Sequence, residues 1–185
     1  MPELTLDVLK EELTAWKGCD LAKTANPVLG EGNPHATVMF IGEAPGQKED
    51  ELKRPFVGAS GKFLDQLLAG IGLKREDVYI SNVVKYRPPE NRDPTPEEKE
   101  QCLPWLMREI ALIKPRVIVP LGRHALGHFL PEITISDAHG KAFPFPDSMT
   151  IFPIYHPAAA LHNGNLRSSL VSDFRALGEF LKTLT

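Results

Sequence analysis

Four short apolar runs, "ATVMFI" (36–41), "VYISNVV" (78–84), "RVIVPL" (116–121) and "TIFPIY" (150–155), constrain this chain more than any other feature. None of them shows the clean polar–apolar alternation of a strand with one wet face. Near-continuous apolar runs of this length belong to strands covered on both sides. The segments between them have helical periodicity. Residues 60–71 ("SGKFLDQLLAGI") place apolar side chains at 63, 64, 67, 68 and 71. Before residues 96–113, Thr95 can cap, Pro96 suits the first helical position and Glu98 closes a capping box. Residues 122–130 start just after the third run, and 166–183 are amphipathic through Leu170, Phe174, Leu177 and Leu181. Alternating strands and helices predict an α/β fold: a three-layer α/β/α sandwich with a central four-stranded, mainly parallel sheet. A chain of 185 residues predicts a single domain, 1–185. The Pro-rich stretches 87–96 and 143–157 read as ordered loops.

Composition bounds the rest. No apolar run approaches bilayer length. The N-terminal "MPELTLDVLKEELTAW" is amphipathic and acidic, without the basic and apolar regions of a signal peptide. With two cysteines, Cys19 and Cys102, these features predict a cytoplasmic protein with free thiols and no membrane contact. A formal net charge of −3 argues against a surface coated with phosphate-binding charge. It leaves room for a local basic face.

In a parallel sheet, ligands sit beyond the carboxyl ends of the strands, and the polar motifs fall there. The first run leads into "GEAPGQKEDELKRPFVG" (42–58), the second carries Asn82 into "KYRPPENR", the third ends at "PLGRHA" and the fourth at "YHPAAALHNGN". "GASGK" (58–62) fails as a P-loop, because Phe56 stands where the first Gly belongs and Phe63 where Ser or Thr belongs. Ser60 then reads as a residue near a helix cap, able to meet a backbone phosphate. His124 and His128 are four apart, but no acidic or cysteine pair accompanies them in sequence, so no metal site is predicted. There is no nucleophile elbow. The combination that stands out is an aromatic ring (Phe56), an amide (Asn82) and an imidazole (His156) on three loops of one crest. Phe56 can stack a flat ring, Asn82 offers a donor and an acceptor to a base edge, and His156 can hydrogen-bond a developing oxyanion.

The blocks "GEAPGQKEDELKRPFVGASGKFLDQLL", "YISNVVKYRPPENRDPTPEE", "PRVIVPLGRHAL" and "YHPAAAL" resemble the family-4 type of the uracil-DNA glycosylase superfamily, over most of the chain. The resemblance implies a DNA repair enzyme that flips uracil out of single- or double-stranded DNA and hydrolyses its N-glycosidic bond, leaving an abasic site. The alternative is a non-catalytic relative that binds DNA or a base. By the same resemblance, Phe56 stacks on the uracil, Asn82 reads its O4 and N3 edge, and His156 lies near O2. Gly42 and Ala44 belong to the base pocket. Glu43, Glu49 and Asn91 line the sugar side, with Glu43 or Glu49 as the carboxylate that serves the sugar. The best-known branch has an aspartate at the position of Ala44 and a tyrosine at that of Gly46, so Glu49 is a candidate to exclude the thymine methyl. Lys53, Arg54, Ser60, Lys62, Arg92 and Arg167 are expected to meet DNA phosphates, and Leu161 to enter the base stack. Family-4 members carry a [4Fe–4S] cluster on four cysteines. Here Cys19 and Cys102 remain, while Trp16 and Tyr86 stand at the other two positions, so no cluster is expected. The expected protein is a monomer without cofactor.

Overall fold

The computed structural model describes residues 5–161 and 163–184; His162, one of the six histidines, lies outside them. Six strands form one sheet: β1 (Glu31–Gly32), β2 (Val38–Gly42), β3 (Tyr79–Asn82), β4 (Val117–Pro120), β5 (Phe143–Phe145) and β6 (Met149–Ile151). Their spatial order is β1-β3-β2-β4-β6-β5. The central β3-β2-β4-β6 set is parallel, and β1 and β5 close the two edges antiparallel. The four expected strands are therefore the parallel core, and the expected count of four is corrected to six. The two additions are short edge strands, one of two residues and one of three. Such pieces are too short to leave a hydrophobic pattern.

The helices are α1 (Leu6–Ala15), α2 (Gln47–Leu52), α3 (Ala59–Gly70), α4 (Pro96–Ile113), α5 (Arg123–Phe129), α6 (Ile135–Ala138), α7 (Pro157–Ala160) and α8 (Gly164–Lys182). None among the described residues is long and apolar enough to cross a membrane. The capping box of α4 forms as expected: the Thr95 amide donates to Glu98 at 2.8 Å, and the Glu98 amide donates to Thr95 Oγ1 at 3.2 Å. For α3 the cap is Gly58, with Ser60 in the first turn.

The alternating side chains of the central strands serve two cores. Met39 and Ile41 of β2 join Leu9, Leu13, Leu106 and Ile110 of α1 and α4. Val38 and Phe40 join Leu64, Leu68, Phe174 and Leu177 of α3 and α8. This is why the strand runs are apolar throughout: both faces are covered by helices. Stretch 143–157 is not all loop, since it contains the β5–β6 hairpin. Beyond β6, pairing continues through the Phe152 and Ile154 amides to Ile118 and Pro120. The alternate amides of Thr150, Phe152 and Ile154 face β4, and the Leu121–Ile154 bridge leads the chain to His156.

Candidate active site

Parallel register brings the carboxyl ends of the central strands to one edge, where a pocket of about 300 Å³ opens. Among the residues lining it are Glu43, Ala44, Glu49, Phe56, Asn82 and His156, together with Ser60, Asn91 and Arg92. Gly42 lies beneath it, paired in register with Asn82. A Cβ on Gly42 would come within 2.4 Å of Asn82 Oδ1 and 2.6 Å of the Phe56 ring, so only glycine lets the amide and the ring approach this closely.

Each functional side chain is held by a local device. Phe56 adopts φ 50°, a left-handed conformation unfavourable for a bulky residue. Arg75 stabilises that bend by donating to the carbonyl of Phe56 at 2.8 Å and to that of Pro55. Gly61 leaves space for it, since a Cβ there would lie 1.9 Å from the Phe56 carbonyl oxygen. Asn82 is buried, and among the described residues its Oδ1 has no hydrogen-bond partner. Leaving such an atom unpaired typically costs about 1–3 kcal/mol. The Asn82 backbone is anchored from behind: its carbonyl accepts from Lys85 Nζ at 2.7 Å, and Lys85 is paired with Glu109 in full burial. Glu109 also accepts from Ser81, Tyr79 and the Gly30 amide.

His156 caps α7. Its Nδ1 accepts from the Ala158 amide at 3.1 Å, which leaves the proton of the neutral ring on Nε2. Burial pushes its pKa down to about 4, so the ring is neutral near pH 7. It stacks on Phe56 with ring centroids 5.6 Å apart. Glu49 is buried, and its Oε1 accepts from the Val57 and Gly58 amides at 2.8 and 2.7 Å, closing the loop that carries Phe56. A Cβ on Gly46 would stand 2.8 Å from Glu49 Oε2. A side chain at Gly46 and this placement of Glu49 therefore compete for the same space.

Glu43 differs from Glu49 in that its Oε1 is buried without a hydrogen bond. Burial first, and then the Asp93 charge, push its pKa up to about 7. His124 Nδ1 lies 3.5 Å from that oxygen and His124 Nε2 lies 3.2 Å from Asp93. The sequence reading left His124 without acidic companions; the fold supplies two, from β2 and from the loop before α4. The three residues offer ligand atoms within 4.8 Å of one another. Lys99 and Arg123 already stand against the same groups, so the set is an ion-pair cluster.

The expected phosphate contacts separate into groups. Lys53 and Arg54 line a different hollow with Leu6 and Glu31, and Arg54 is bound to Glu31 at two points, 2.6 and 2.7 Å. Arg92 reaches the pocket but is likewise held by Glu98 at 2.9 and 2.6 Å. Lys62 is exposed on the first turn of α3. Arg167 lies 4.4 Å above the Phe63 ring, and Leu161 is exposed at the end of α7.

Trp16, Cys19, Tyr86 and Cys102 all belong to the core beneath α1 and α4. The Tyr86 hydroxyl donates to the carbonyls of Leu13 and Trp16 at 3.1 and 3.3 Å, and its ring lies 6.0 Å from that of Trp16. Burial pushes the Cys102 thiol up to about 12. A cubane needs four thiolates. This set offers two cysteines, one of them held as a neutral thiol, and two aromatic rings, so it does not fit that group.

Sequence reasoning missed Arg75, the Lys85–Glu109 pair and the Asp93–Lys99–His124 cluster. Only Glu109 left a signal: it falls on the buried stripe of α4 with Cys102, Trp105, Leu106, Ile110 and Ile113. A carboxylate on an apolar stripe announces a buried partner.

The pocket can therefore stack a planar ring, read its polar edge and meet a departing anion. Comparison with known proteins finds relatives over most of the chain. A Type-4 uracil-DNA glycosylase of Archaeoglobus fulgidus is 48% identical over 95% of this chain and 92% of its own length. One from Thermotoga maritima is 39% identical over 97% and 96%. A Type-5 uracil-DNA glycosylase of Thermus thermophilus is 37% identical over 71% and 69%. The family model described as the uracil DNA glycosylase superfamily matches residues 29–181, and the chain is a member of that superfamily.

Proposed function

We infer that the chain is a uracil-DNA glycosylase of DNA repair, which extrudes uracil from DNA and hydrolyses the bond between its N1 and C1′ of the deoxyribose. The observation that carries this reading is Asn82, a buried amide with Oδ1 left unpaired beside Phe56 and His156. Uracil presents an acceptor at O4 and a donor at N3, and one amide answers both. Phe56 stacks on the ring face. Neutral His156 donates from Nε2 to O2 as the glycosidic electron pair moves onto the uracil. A neutral donor needs no proton transfer to do this and acts in a largely dry site.

C1′ acquires oxocarbenium character as the bond breaks. The Glu43 carboxylate stabilises it and accepts a proton from the water that attacks C1′, while the uracil anion takes up a proton on release. Glu43 suits this role better than Glu49, because Glu43 Oε1 is free of hydrogen bonds while Glu49 Oε1 is committed to two amides. Glu49 shapes the loop and fills the space beside Gly46. Asn91, whose Oδ1 accepts from Arg87 at 2.7 Å, borders the sugar side. Lys62, Arg92 and Arg167 meet phosphates, and Leu161 supports the gap left by the flipped base. The enzyme acts as a cytoplasmic monomer and carries no iron–sulfur cluster, since Trp16 and Tyr86 occupy the volume beside Cys19 and Cys102.

Incubation with uracil-containing oligonucleotides, single- and double-stranded and without added metal, followed by cleavage at abasic sites, tests the activity. Uracil-dependent strand cleavage is expected; binding without cleavage would identify a non-catalytic relative. A colourless preparation free of iron is expected, and stoichiometric iron would refute the reading of the core.

A further inference from the structure

Glu43 faces charged and titratable groups from every side. Asp93 comes from the loop before α4, Lys99 from α4, and Arg123 and His124 from α5, while Glu49 and His156 share its pocket. Of these, His124 supplies no charge. Burial and then the Lys99 charge push its pKa down, so it is neutral near pH 7. Lys99 Nζ lies 3.3 Å from His124 Nδ1 and Arg123 Nε lies 3.1 Å from His124 Nε2, so a cation stands at each nitrogen of the ring. His124 Nδ1 and Glu43 Oε1 are 3.5 Å apart, and the Lys99 ammonium stands beside both, 3.9 Å from the Glu43 carboxylate. Arg123 is mostly exposed, set against His124 Nε2 at 3.1 Å and Asp93 at 3.6 Å, and solvent screens its charge.

We propose that Lys99 is a positioning residue for the reaction, its ammonium keeping the Glu43 carboxylate charged and facing the sugar. The proposal rests on the reading of Glu43 as the carboxylate that serves C1′. Lys99 is not among the residues that line the pocket. It offsets Asp93, whose charge favours a protonated Glu43. Without Lys99, only the exposed Arg123 would remain to offset Asp93 beside Glu43.

Single-turnover excision at saturating enzyme, measured from pH 5 to 9, tests this. The parental rate should rise with pH and reach half its plateau near pH 7, where Glu43 loses its proton. Lys99→Met should move that limb up by about one pH unit. This slows excision roughly five-fold at pH 7, with the two rates converging by pH 9. Lys99→Arg should restore the parental profile. A Lys99→Met limb coincident with the parental one, or an equal loss at every pH, would overturn the proposal. Glu43→Gln separates the two readings: it should be slow and nearly flat with pH. If it excises at the parental rate, the assignment of Glu43 itself fails. Titration of the Glu43 carboxyl by 13C NMR, identified by its disappearance in Glu43→Gln, gives a readout independent of activity. An unshifted titration in Lys99→Met would reject the proposal even in an inactive protein.

Discussion

The candidate pocket and the aromatic core under α1 and α4 lie on the same sheet and obey opposite rules. In the core around Trp16, Cys19, Tyr86 and Cys102, a polar atom that needs a partner has one: the Tyr86 hydroxyl meets two carbonyls. In the pocket, Asn82 Oδ1 and Glu43 Oε1 are buried without hydrogen bonds, and Phe56 holds a left-handed backbone. The first arrangement lowers the energy of the free protein. The second raises it, as strained and unpaired groups at functional sites do. A position in that core can be filled by hydrophobic volume alone, whereas a buried unpaired amide carries a standing cost.

If that division holds, substitutions in the two regions should separate chemistry from stability. The largest effect is expected from Asn82→Asp. An ionised carboxylate can only accept, so O4 loses its donor, and uracil excision should fall by about 10⁴. The near-isosteric change should leave the fold intact by circular dichroism. Any gain toward cytosine requires a protonated Asp and should grow as pH falls. Excision at the parental rate would remove Asn82 from the role of base reader.

Tyr86→Ala should do the reverse. Emptying this buried site should cost about 3–5 kcal/mol of stability in denaturant titration. Below the unfolding transition, the single-turnover rate should stay within about two-fold of parental, since no pocket residue is touched. A large loss of rate in the folded protein would show that the two regions are coupled.

His156→Ala removes one donor to the departing uracil. It should slow excision by about 10²–10³, or roughly 2.7–4 kcal/mol of barrier, while binding of uracil-containing DNA persists. An unchanged rate would make His156 only the cap of α7. The smallest effect concerns charge. Lys62→Ala should weaken DNA binding and lower the salt slope by about 0.9. Arg54→Ala, whose guanidinium is already bound to Glu31, should change the slope less. Equal slopes for these two variants would remove the distinction between exposed and paired cations.

Most of the fold was legible because burial on both faces writes itself into a strand as an uninterrupted apolar run. The capping box before α4 was equally readable, being a contact between residues three apart. Edge strands β1 and β5 were not, because two- and three-residue pairings depend on what lies beside them. Within the pocket, Phe56, Asn82 and His156 were visible as residue types on convergent loops. Their common crest follows from four parallel strands, an order the apolar pattern already implies.

Only the tertiary structure decided which groups meet across long sequence separations. Arg75 reaches back 19 residues to the carbonyl of Phe56, and Glu109 pairs with Lys85 24 residues away. Asp93, Lys99 and His124 become neighbours of Glu43 through α4 and α5 packing on β2. The sequence determined which side chains could carry the chemistry, since donor, acceptor and ring are properties of the residue. It could not determine their ionisation or which oxygen is left unpaired. Those depend on burial and on distances of 3 to 4 Å, which arise only when separate segments pack together.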